Sequence, residues 1–408
     1  MDATGERHQH PLVLLAPATF FDGYATLVLS LVLPVIRVQF HLTLEQSGYL
    51  ASAVFAGSFG TFVLLPLADR VGRKPILMVT IVGYTAATLI TSFSRGIVEF
   101  AALQFIARLF LNTEISLATI VLVEMTDRGR RGKALGFLSS MSALGQAAAG
   151  VGFLLIVTFH TSWRVLYLAA VIPLVIFARA RRHLKETVHR DIPQREILRG
   201  LSRRWIIGAT MLSFFIAIYP SAVTTLASTL VLDEWRFTVG GLNPWFFGIW
   251  LLAVSGFFIS GRLLDWIGRR PTSILFFTAT ALVGWCAFTA TTMTGRVIGL
   301  GLVVFTITGS TPCYAAYSTE LFPNGVRGTI GAWLQGMSIT GAVIAPALAT
   351  SLSVPLHSLS AALALLGSFY LVAAAIVVLL LPETRVLVEE RADGPGHEPP
   401  GAPEGAGR

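Results

Sequence analysis

The stretch Asp69-Arg70-Val71-Gly72-Arg73-Lys74 decides the fold, because the chain contains its pattern twice. The pattern returns 196 positions later as Asp265-Trp266-Ile267-Gly268-Arg269-Arg270. Several polar landmarks on one register, inside an otherwise apolar chain, indicate two copies of one architecture that pack as pseudo-symmetric halves. Further landmarks keep the same offset: Glu124 with Glu320, and Arg131-Gly132 with Arg327-Gly328.

The composition places both halves in a membrane. Of the 408 residues, 54% are hydrophobic and 13% are charged, and the mean hydropathy is +0.71. No soluble core hides this much apolar surface. The apolar residues form long runs near the roughly 20 residues that cross a ~30 Å hydrocarbon core. The sequence therefore predicts an all-α membrane protein with twelve transmembrane helices in two six-helix bundles. The predicted spans are 12–36, 47–68, 76–94, 98–123, 134–158, 163–178, 205–231, 245–264, 273–293, 296–318, 329–352 and 357–381.

These spans divide the chain into five parts. Residues 1–11 form a polar N-terminus, residues 12–178 the N-terminal bundle and residues 205–381 the C-terminal bundle. Residues 179–204 form a basic central loop between the bundles. Residues 382–408 form a tail that becomes rich in Gly and Pro, and we expect it to be disordered from about residue 391.

The basic residues are concentrated on one side of the predicted topology, which accounts for the net charge of +8. If the N-terminus is cytoplasmic, most Lys and Arg residues fall in cytoplasmic segments, as the positive-inside bias requires. We therefore expect a multi-pass protein of the cell membrane, with both termini cytoplasmic, in contact with lipid and without a nucleic-acid partner. The predicted outer loops hold Arg37, Arg95, Arg164, Arg236 and Arg296.

The paired motifs resemble those of the major facilitator superfamily. The repeated stretch is similar to the loops between helices two and three and between helices eight and nine of that family. The segment from Tyr317 through Glu320-Leu321-Phe322-Pro323 to Arg327-Gly328 resembles the loop after helix ten, and Pro382-Glu383-Thr384-Arg385 resembles the end of sugar-porter-like members. The resemblance covers residues 12–391 and implies a major facilitator fold with transport by alternating access.

The charged residues of these motifs suggest a cytoplasmic gate. Carboxylates and guanidiniums at the ends of both bundles form ion pairs between bundles or at helix ends. We expect such a cluster to hold the cytoplasmic side closed and to release as the bundles rock. The alternative is that the basic residues only determine topology. The candidate gate residues are Asp69, Arg70, Arg73, Glu124, Arg131, Asp265, Arg269, Glu320 and Arg327.

Three ionisable residues lie well inside predicted spans, namely Asp22 in the first span and Arg108 and Glu114 in the fourth. Each costs about 2.5–3.5 kcal/mol to insert, so such residues generally face a cavity or a partner. In the resembled fold, helices one and four line the central cavity, which brings Asp22 and Arg108 together near the midplane. Glu114 lies about 120° around the helix from Arg108, and is either a second proton site or a local polar contact.

The predicted pair of Asp22 and Arg108 suggests proton coupling. Burial favours a neutral carboxyl group, whereas a neighbouring arginine favours the ionised form. Arg108 itself is a fixed charge, because a guanidinium does not lose its proton in proteins. An anionic substrate that displaces Asp22 from Arg108 therefore favours protonation of Asp22 and links proton uptake to anion uptake. The alternative is a static buried ion pair that fixes helix packing.

The segment Phe20-Phe21-Asp22-Gly23-Tyr24, together with Arg108, Glu114 and Glu124, resembles metabolite/proton and aromatic-acid/proton symporters of the superfamily. This resemblance implies a proton-coupled symporter that imports a small organic acid or related metabolite. Two alternatives stay open, a sugar or polyol porter and a proton-coupled efflux antiporter. Candidate polar residues of the cavity are Tyr24, Asn112, Gln146, Tyr219, Thr224, Thr306 and Gln335.

The sequence gives no support for an enzyme. It contains no phosphate-cradling loop, nucleophile constellation or His/Cys ligand cluster, so we expect no catalytic activity, no cofactor and no metal. Cys286 and Cys313 fall in predicted spans and are expected to be buried free thiols. The expected partners are a small-molecule substrate, protons and the lipid bilayer, and the chain is expected to act as a monomer.

Overall fold

The structure is a computed structural model that describes residues 11–125, 131–171, 202–237, 252, 255–322 and 327–384. The predicted N-terminal segment up to residue 10, most of the central loop and the tail from residue 385 lie outside the described residues. Within them the chain is almost entirely helical. The repeated stretches mark one end of the molecule, which we call the motif end, and the opposite end is called the far end.

The described residues of the first half form five spans and the start of a sixth. α1 covers Pro11–Gln39, and the second span is α2 (Leu44–Ala56), a 3₁₀ turn (Gly57–Gly60) and α3 (Thr61–Val71). Thr43 begins α2 with a capping box, in which its hydroxyl accepts from the Gln46 amide and the Gln46 side chain accepts from the Thr43 amide. The remaining helices are α4 (Arg73–Thr91), α5 (Ile97–Met125), α6 (Arg131–Thr158) and α7 (residues 164–171).

The second half repeats this order of helices. α8 covers Arg203–Thr229 and continues into a π-helical turn at Leu230–Glu234. The other helices are α9 (residues 255–267), α10 (Arg269–Thr289), α11 (Met293–Glu320), α12 (Arg327–Leu356), α13 (Leu359–Gly367) and α14 (Phe369–Leu380).

Ten helical stretches of the described chain are long and apolar enough to cross a membrane. They correspond to ten of the twelve predicted spans and begin or end within a few residues of the predicted bounds. The other two predicted spans, 163–178 and 245–264, run into residues that the structure does not describe, although their described parts are helical. Of the two thiols, Cys313 is buried as predicted, whereas Cys286 is exposed on α10, so that prediction was wrong.

Glycine allows the first and fifth spans of each half to pack backbone against backbone. A Cβ atom at Gly145 on α6 would overlap the carbonyl oxygen of Phe20 on α1. Gly341, which lies 196 positions after Gly145, meets the carbonyl oxygen of Phe214 on α8 in the same way. In lipid, where apolar burial drives association only weakly, such close approach supplies much of the packing between helices.

The turns at both ends follow the same two-fold pattern. At the motif end, Gly72 and Gly268 have φ of 110° and 101°, a backbone region that favours glycine. At the far end, the positive-φ residues form two corresponding pairs, His41 with Arg236 and His160 with His357. The repeat therefore extends to the backbone of the turns, even where the side chains differ, as they do at His41 and Arg236.

The two bundles contact each other along two helix pairs in the described part of the chain, α1 with α8 and α2 with α12. Polar contacts in these interfaces lie toward the far end, for example between Ser30 and Ser228 and between Tyr49 and Ser351. Nearer the middle of the spans, the Phe62 ring packs against Gly336. The described contacts between bundles thus concentrate between the middle and the far end.

Candidate functional site

α1 and α5 bring an acid and a base together in the interior of the N-terminal bundle. The Nη1 atom of Arg108 lies 3.3 Å from Oδ1 of Asp22, so the approach predicted from the sequence is confirmed. Both residues stand eleven positions after the first residue of a 29-residue helix. Close α1–α5 packing makes the contact, and the Asp22 side chain remains 31% exposed. The carboxylate is therefore accessible from outside the bundle core.

Arg108 has two further partners that the sequence analysis missed. Its Nη1 also donates to the Thr26 hydroxyl at 3.1 Å, one helical turn after Asp22 on α1. Its guanidinium carbon lies 4.8 Å from the centroid of the Phe55 ring, within cation–π range. Thr26 could have been identified from the sequence by its i+4 spacing from Asp22, because residues four apart lie on the same face of a helix. The α1–α5 and α2–α5 packings together fix the guanidinium in place.

A small cavity lies beside this pair, with a volume of about 20 Å³. A water molecule needs roughly 10–15 Å³ by this kind of measure, so the cavity is large enough for a water molecule and too small for an organic acid. Of the predicted cavity residues it includes Tyr24, whose hydroxyl donates to the Leu166 carbonyl at 2.7 Å. Other lining residues are Thr26, Phe55, Tyr84, Thr88, Gln104, Arg108 and Tyr167.

Glu114 is a second acid in α5, and its side chain is only 2% exposed. It does not line the cavity beside Arg108, consistent with its different helix face. Two residues before it, the Asn112 side-chain amide donates to the Thr61 hydroxyl at 2.9 Å. Asn112 thus ties α5 to the start of α3.

The remaining predicted cavity residues lie elsewhere. Tyr219 is fully buried in the C-terminal bundle, with its ring 5.7 Å from that of Tyr370. Thr306 is also buried and donates to the Val303 carbonyl, so neither hydroxyl is positioned to reach a substrate in this structure. Gln146 is partly exposed, Gln335 is exposed, and Thr224 is exposed with its hydroxyl bonded to the Pro220 carbonyl.

The motif end of the C-terminal bundle holds a connected set of charges. Arg269 binds Glu320 through two bonds, with Nε 3.1 Å from Oε2 and Nη2 3.2 Å from Oε1. The Thr384 hydroxyl donates to the same carboxylate at 2.7 Å. Glu383 accepts from the backbone amides of Arg269 and Arg270 at 2.9 and 2.8 Å, which caps the N-terminus of α10. Glu383 was not among the predicted site residues, although its motif was noted.

Each of the two repeated stretches contains an ion pair at the motif end. Asp69 on α3 lies 3.7 Å from Arg73 on α4, across the Gly72 turn, and Asp265 on α9 lies 3.6 Å from Arg269 on α10, across the Gly268 turn. Arg70 is exposed. Among the described residues, each of these ion pairs joins two side chains of the same bundle. The candidate gate residues in these pairs therefore form contacts at helix ends. Glu124, Arg131 and Arg327 occupy helix ends by their backbone positions.

Curated relatives of this chain are membrane transporters. The probable 4-methylmuconolactone transporter of Cupriavidus pinatubonensis is 27% identical over 399 residues, which cover 93% of this chain and 91% of the relative. A putative niacin/nicotinamide transporter of Bacillus subtilis is 23% identical over 383 residues, which cover 90% of this chain and 94% of the relative. Both similarities extend over nearly the whole length of the chain.

Solved structures and the family profile agree on the architecture. A crystal structure of a D-xylose-proton symporter superposes with a TM-score of 0.77 over 92% of this chain and 98% of that protein, at 18% identity. This likeness confirms the predicted fold of two pseudo-symmetric helical bundles. The profile of the Major Facilitator Superfamily matches residues 15–337. The chain therefore belongs to the Major Facilitator Superfamily and is a multi-pass membrane transporter, not an enzyme.

Proposed function

We propose that this transporter is a proton-coupled symporter that imports a small organic acid. The observation that carries the proposal is the contact of Asp22 with Arg108 inside the membrane-spanning region, at 3.3 Å. This pair supplies both requirements of such a symporter, a fixed positive charge for a carboxylate and a neighbouring acid that takes up a proton.

Arg108 is suited to act as the fixed anion site. Thr26 and Phe55 hold its guanidinium independently of Asp22, so the guanidinium keeps its place when Asp22 leaves. A guanidinium also binds a carboxylate through two parallel hydrogen bonds, which an ammonium group does not offer. A substrate carboxylate that approaches the exposed side of Asp22 therefore competes for the same partner.

Charge balance then couples the two ligands. Without substrate, ionised Asp22 neutralises Arg108; with substrate bound, the substrate carboxylate neutralises Arg108 and Asp22 is protonated. Both states avoid an uncompensated charge in the membrane, whereas binding of either ligand alone leaves one. The affinity gain is reciprocal by linkage and is typically about 1–3 kcal/mol for such coupled sites. Bundle rocking carries the two ligands across together.

The relatives support an organic acid as the substrate class. Relatives of this chain are named as transporters of 4-methylmuconolactone, niacin or nicotinamide, gallate, and cis,cis-muconate. Glu383 and Thr384 of the sugar-porter-like end motif bind α10 and Glu320 at the motif end, so this motif does not itself supply a substrate contact. Glu114 is retained as a candidate second proton site.

The topology completes the proposal. We propose that the motif end lies in the cytoplasm, because basic residues are concentrated in the loops of that end. We also propose that the protein acts in the cell membrane as a monomer. The charged clusters of the motif end are proposed to regulate opening of the cytoplasmic side.

The decisive experiment is uptake by proteoliposomes with and without an imposed inward proton gradient. The panel contains benzoate, nicotinate, dicarboxylates and hexoses. We expect one carboxylate class to accumulate with the gradient, and Asp22→Asn to abolish accumulation while retaining counterflow exchange. Glu99→Gln, which alters an exposed carboxylate at a helix start of the same bundle, is the matched control.

Three results would contradict the proposal. Accumulation by Asp22→Asn at the wild-type level would remove the coupling role of the acid. Accumulation of hexoses alone would assign the protein to sugar transport. Acidification-driven export in place of uptake would assign it to efflux.

A further inference from the structure

Arg108 has a buried hydrogen-bond donor that none of its protein partners uses. Its guanidinium bonds Asp22 and Thr26 through Nη1. Its Nε is buried and has no hydrogen-bond partner among the described protein atoms. A buried donor that stays unpaired costs free energy, and the cost is larger for a charged group. A small polar ligand is therefore expected to accept from Nε.

Tyr167 supplies a second buried polar atom of this kind. Its side chain on α7 is 4% exposed, and its hydroxyl has no hydrogen-bond partner in the described part of the chain. Edge contacts with Phe100 and Trp163 hold its ring, at centroid distances of 6.1 and 5.8 Å. Tyr24 differs, because its hydroxyl donates to a backbone carbonyl. The Tyr167 hydroxyl is thus held in place by packing of its ring and bonds no described protein atom.

Arg108 and Tyr167 line the same cavity, whose volume is about 20 Å³. Gln104 lines it as well; its amide nitrogen donates to Thr91 at 3.0 Å, and its carbonyl oxygen is an acceptor. A buried water needs roughly 10–15 Å³ and typically makes about three hydrogen bonds. The cavity offers both, since Nε and the hydroxyl can donate to a water that donates to the carbonyl oxygen.

The three polar residues around the cavity have apolar counterparts in the C-terminal half. At the offset of 196 positions these counterparts are Leu300, Val304 and Leu363. Leu300 and Leu363 are buried there. A single buried polar group is costly unless it finds a partner, so the three polar residues are favourable together and unfavourable singly. Their joint presence beside Arg108 is what a shared ligand requires.

We propose that one buried water molecule binds in this cavity and bridges Nε of Arg108 to Tyr167 and Gln104, and that Tyr167 is a positioning residue that acts on Arg108 through this water. The water ties α5 to α7 and solvates the guanidinium from inside the bundle. Because the water occupies Nε, a substrate carboxylate binds Nη1 and Nη2. The water site stands on the geometry alone, whereas its effect on substrate binding rests on the proposed function.

Radiolytic oxidation in H₂¹⁸O tests for the water. An X-ray pulse generates hydroxyl radicals from a bound water, and these oxidise an adjacent aromatic ring that bulk solvent does not reach. After the full chain is mixed rapidly with H₂¹⁸O, the half-time with which ¹⁸O appears in oxidised Tyr167 measures exchange of the water. We expect Tyr167 to be oxidised despite its burial, and to gain ¹⁸O more slowly than Tyr49, which is 52% exposed.

The matched control is Tyr219, which is also fully buried with a hydroxyl that bonds no described atom. A Cβ atom at Gly284 would overlap that hydroxyl, so close packing leaves no room for a water there. Tyr219 is therefore expected to stay unoxidised. A Tyr167 that stays unoxidised like Tyr219, or that gains ¹⁸O as fast as Tyr49, would overturn the water site.

Two variants test the partners of the water. Arg108→Lys keeps the charge and removes Nε, and Gln104→Leu introduces the residue type of the equivalent position in the other half. Each is expected to shorten the ¹⁸O half-time at Tyr167 at least about fivefold, the effect of losing one hydrogen bond. Thr225→Val removes another buried hydroxyl without a described partner, which does not line the cavity, and should leave the half-time unchanged. Equal half-times in all three variants would contradict the assigned partners.

Transport by Tyr167→Phe tests the positioning role. This change keeps the ring and removes the hydroxyl, so the KM for the carboxylates of the uptake panel should rise about threefold or more, with an unchanged maximal rate. Thr225→Val should leave both values unchanged. An unchanged KM in Tyr167→Phe would overturn the positioning role. The ¹⁸O measurement needs neither substrate nor proton gradient, so its result stands even if Asp22→Asn shows that the transporter is not proton-coupled.

Discussion

At the centre of the N-terminal bundle Asp22 pairs with Arg108, whereas the corresponding positions of the C-terminal bundle hold Ile218 and Val304. The C-terminal centre is packed with aromatic rings, including that of Tyr370, which lies 5.8 Å from Phe277. In the described residues, the centres of the two halves therefore share a helical scaffold and differ in chemistry. The N-terminal centre contains an ion pair, and the equivalent positions of the C-terminal centre are apolar.

The motif ends of the two bundles also differ in their described polar contacts. In the C-terminal bundle the last span is followed by Glu383 and Thr384, which bind α10 and Glu320. At the same end of the N-terminal bundle, Asp69 and Arg73 pair across the turn between α3 and α4. The residues that would correspond to Glu383 and Thr384 lie outside the described part of the chain.

The largest effect is expected from neutralising Arg108, the positive charge at the centre of the N-terminal bundle. Arg108→Gln leaves Asp22 without its partner and the substrate without its anion site, so uptake should fall at least about 100-fold. Arg296→Gln is the control in the other half, because Arg296 also stacks over an aromatic ring, that of Trp235, at 5.8 Å.

Initial rates of uptake at equal membrane expression measure this difference. Arg108→Lys is also expected to transport poorly, because an ammonium lacks the paired donors of a guanidinium. Uptake by Arg108→Gln within a factor of about two of wild type would show that the asymmetry of charge has no role in transport.

An intermediate effect is expected from the cap in the C-terminal half. Glu383→Gln weakens the charged bonds to the amides of Arg269 and Arg270, a loss of about 1 kcal/mol. For a bundle of this size, such a loss lowers the apparent melting temperature by about 3 °C. Reaction of the buried thiol of Cys313 with a fluorescent maleimide on heating measures this change.

Asp69→Asn is the matched change in the N-terminal half, where the carboxylate is about half exposed and 3.7 Å from its partner. It should shift the melting temperature by less than about 1 °C. Equal shifts for the two variants would contradict the expectation that the Glu383 cap stabilises its bundle more than the Asp69–Arg73 pair stabilises the other.

The smallest effect is expected at Thr26, whose counterpart in the C-terminal half is Ala222. Thr26→Val keeps the shape of the side chain and removes the hydroxyl that holds Arg108 at 3.1 Å. We expect the apparent KM for the carboxylate to rise about three- to tenfold, which corresponds to the net contribution of one typical hydrogen bond. The maximal rate should change little.

Thr26→Ser is the rescue variant, because it restores the hydroxyl. Recovery of the wild-type KM by Thr26→Ser assigns the effect to the hydrogen bond. A KM that is unchanged in Thr26→Val would show that the Phe55 ring and Asp22 suffice to position the guanidinium.

Much of the fold followed from the order of residue types along the chain. Apolar runs of the right length gave ten spans that the structure reproduces, because a bilayer leaves the backbone little choice other than a helix. The contact of Asp22 with Arg108 was also predicted, since two opposite charges inside a membrane are far cheaper together than apart. Thr26 and Phe55 were missed because nothing in their own chemistry is unusual for a membrane helix.

The amino-acid sequence by itself determined the membrane location, the two-fold repeat and the identity of the groups that bear charge inside the spans. Only the tertiary structure decided which charges meet. Arg37 and Asp233 look like ordinary loop charges in the sequence, and they become partners because docking of the halves brings equivalent positions to one axis. Asp69 and Asp265 were expected in ion pairs either between bundles or at helix ends, and their described ion pairs join the ends of consecutive helices of one bundle. Pairing depends on the distance between atoms that are far apart along the chain, and helix periodicity alone does not specify that distance.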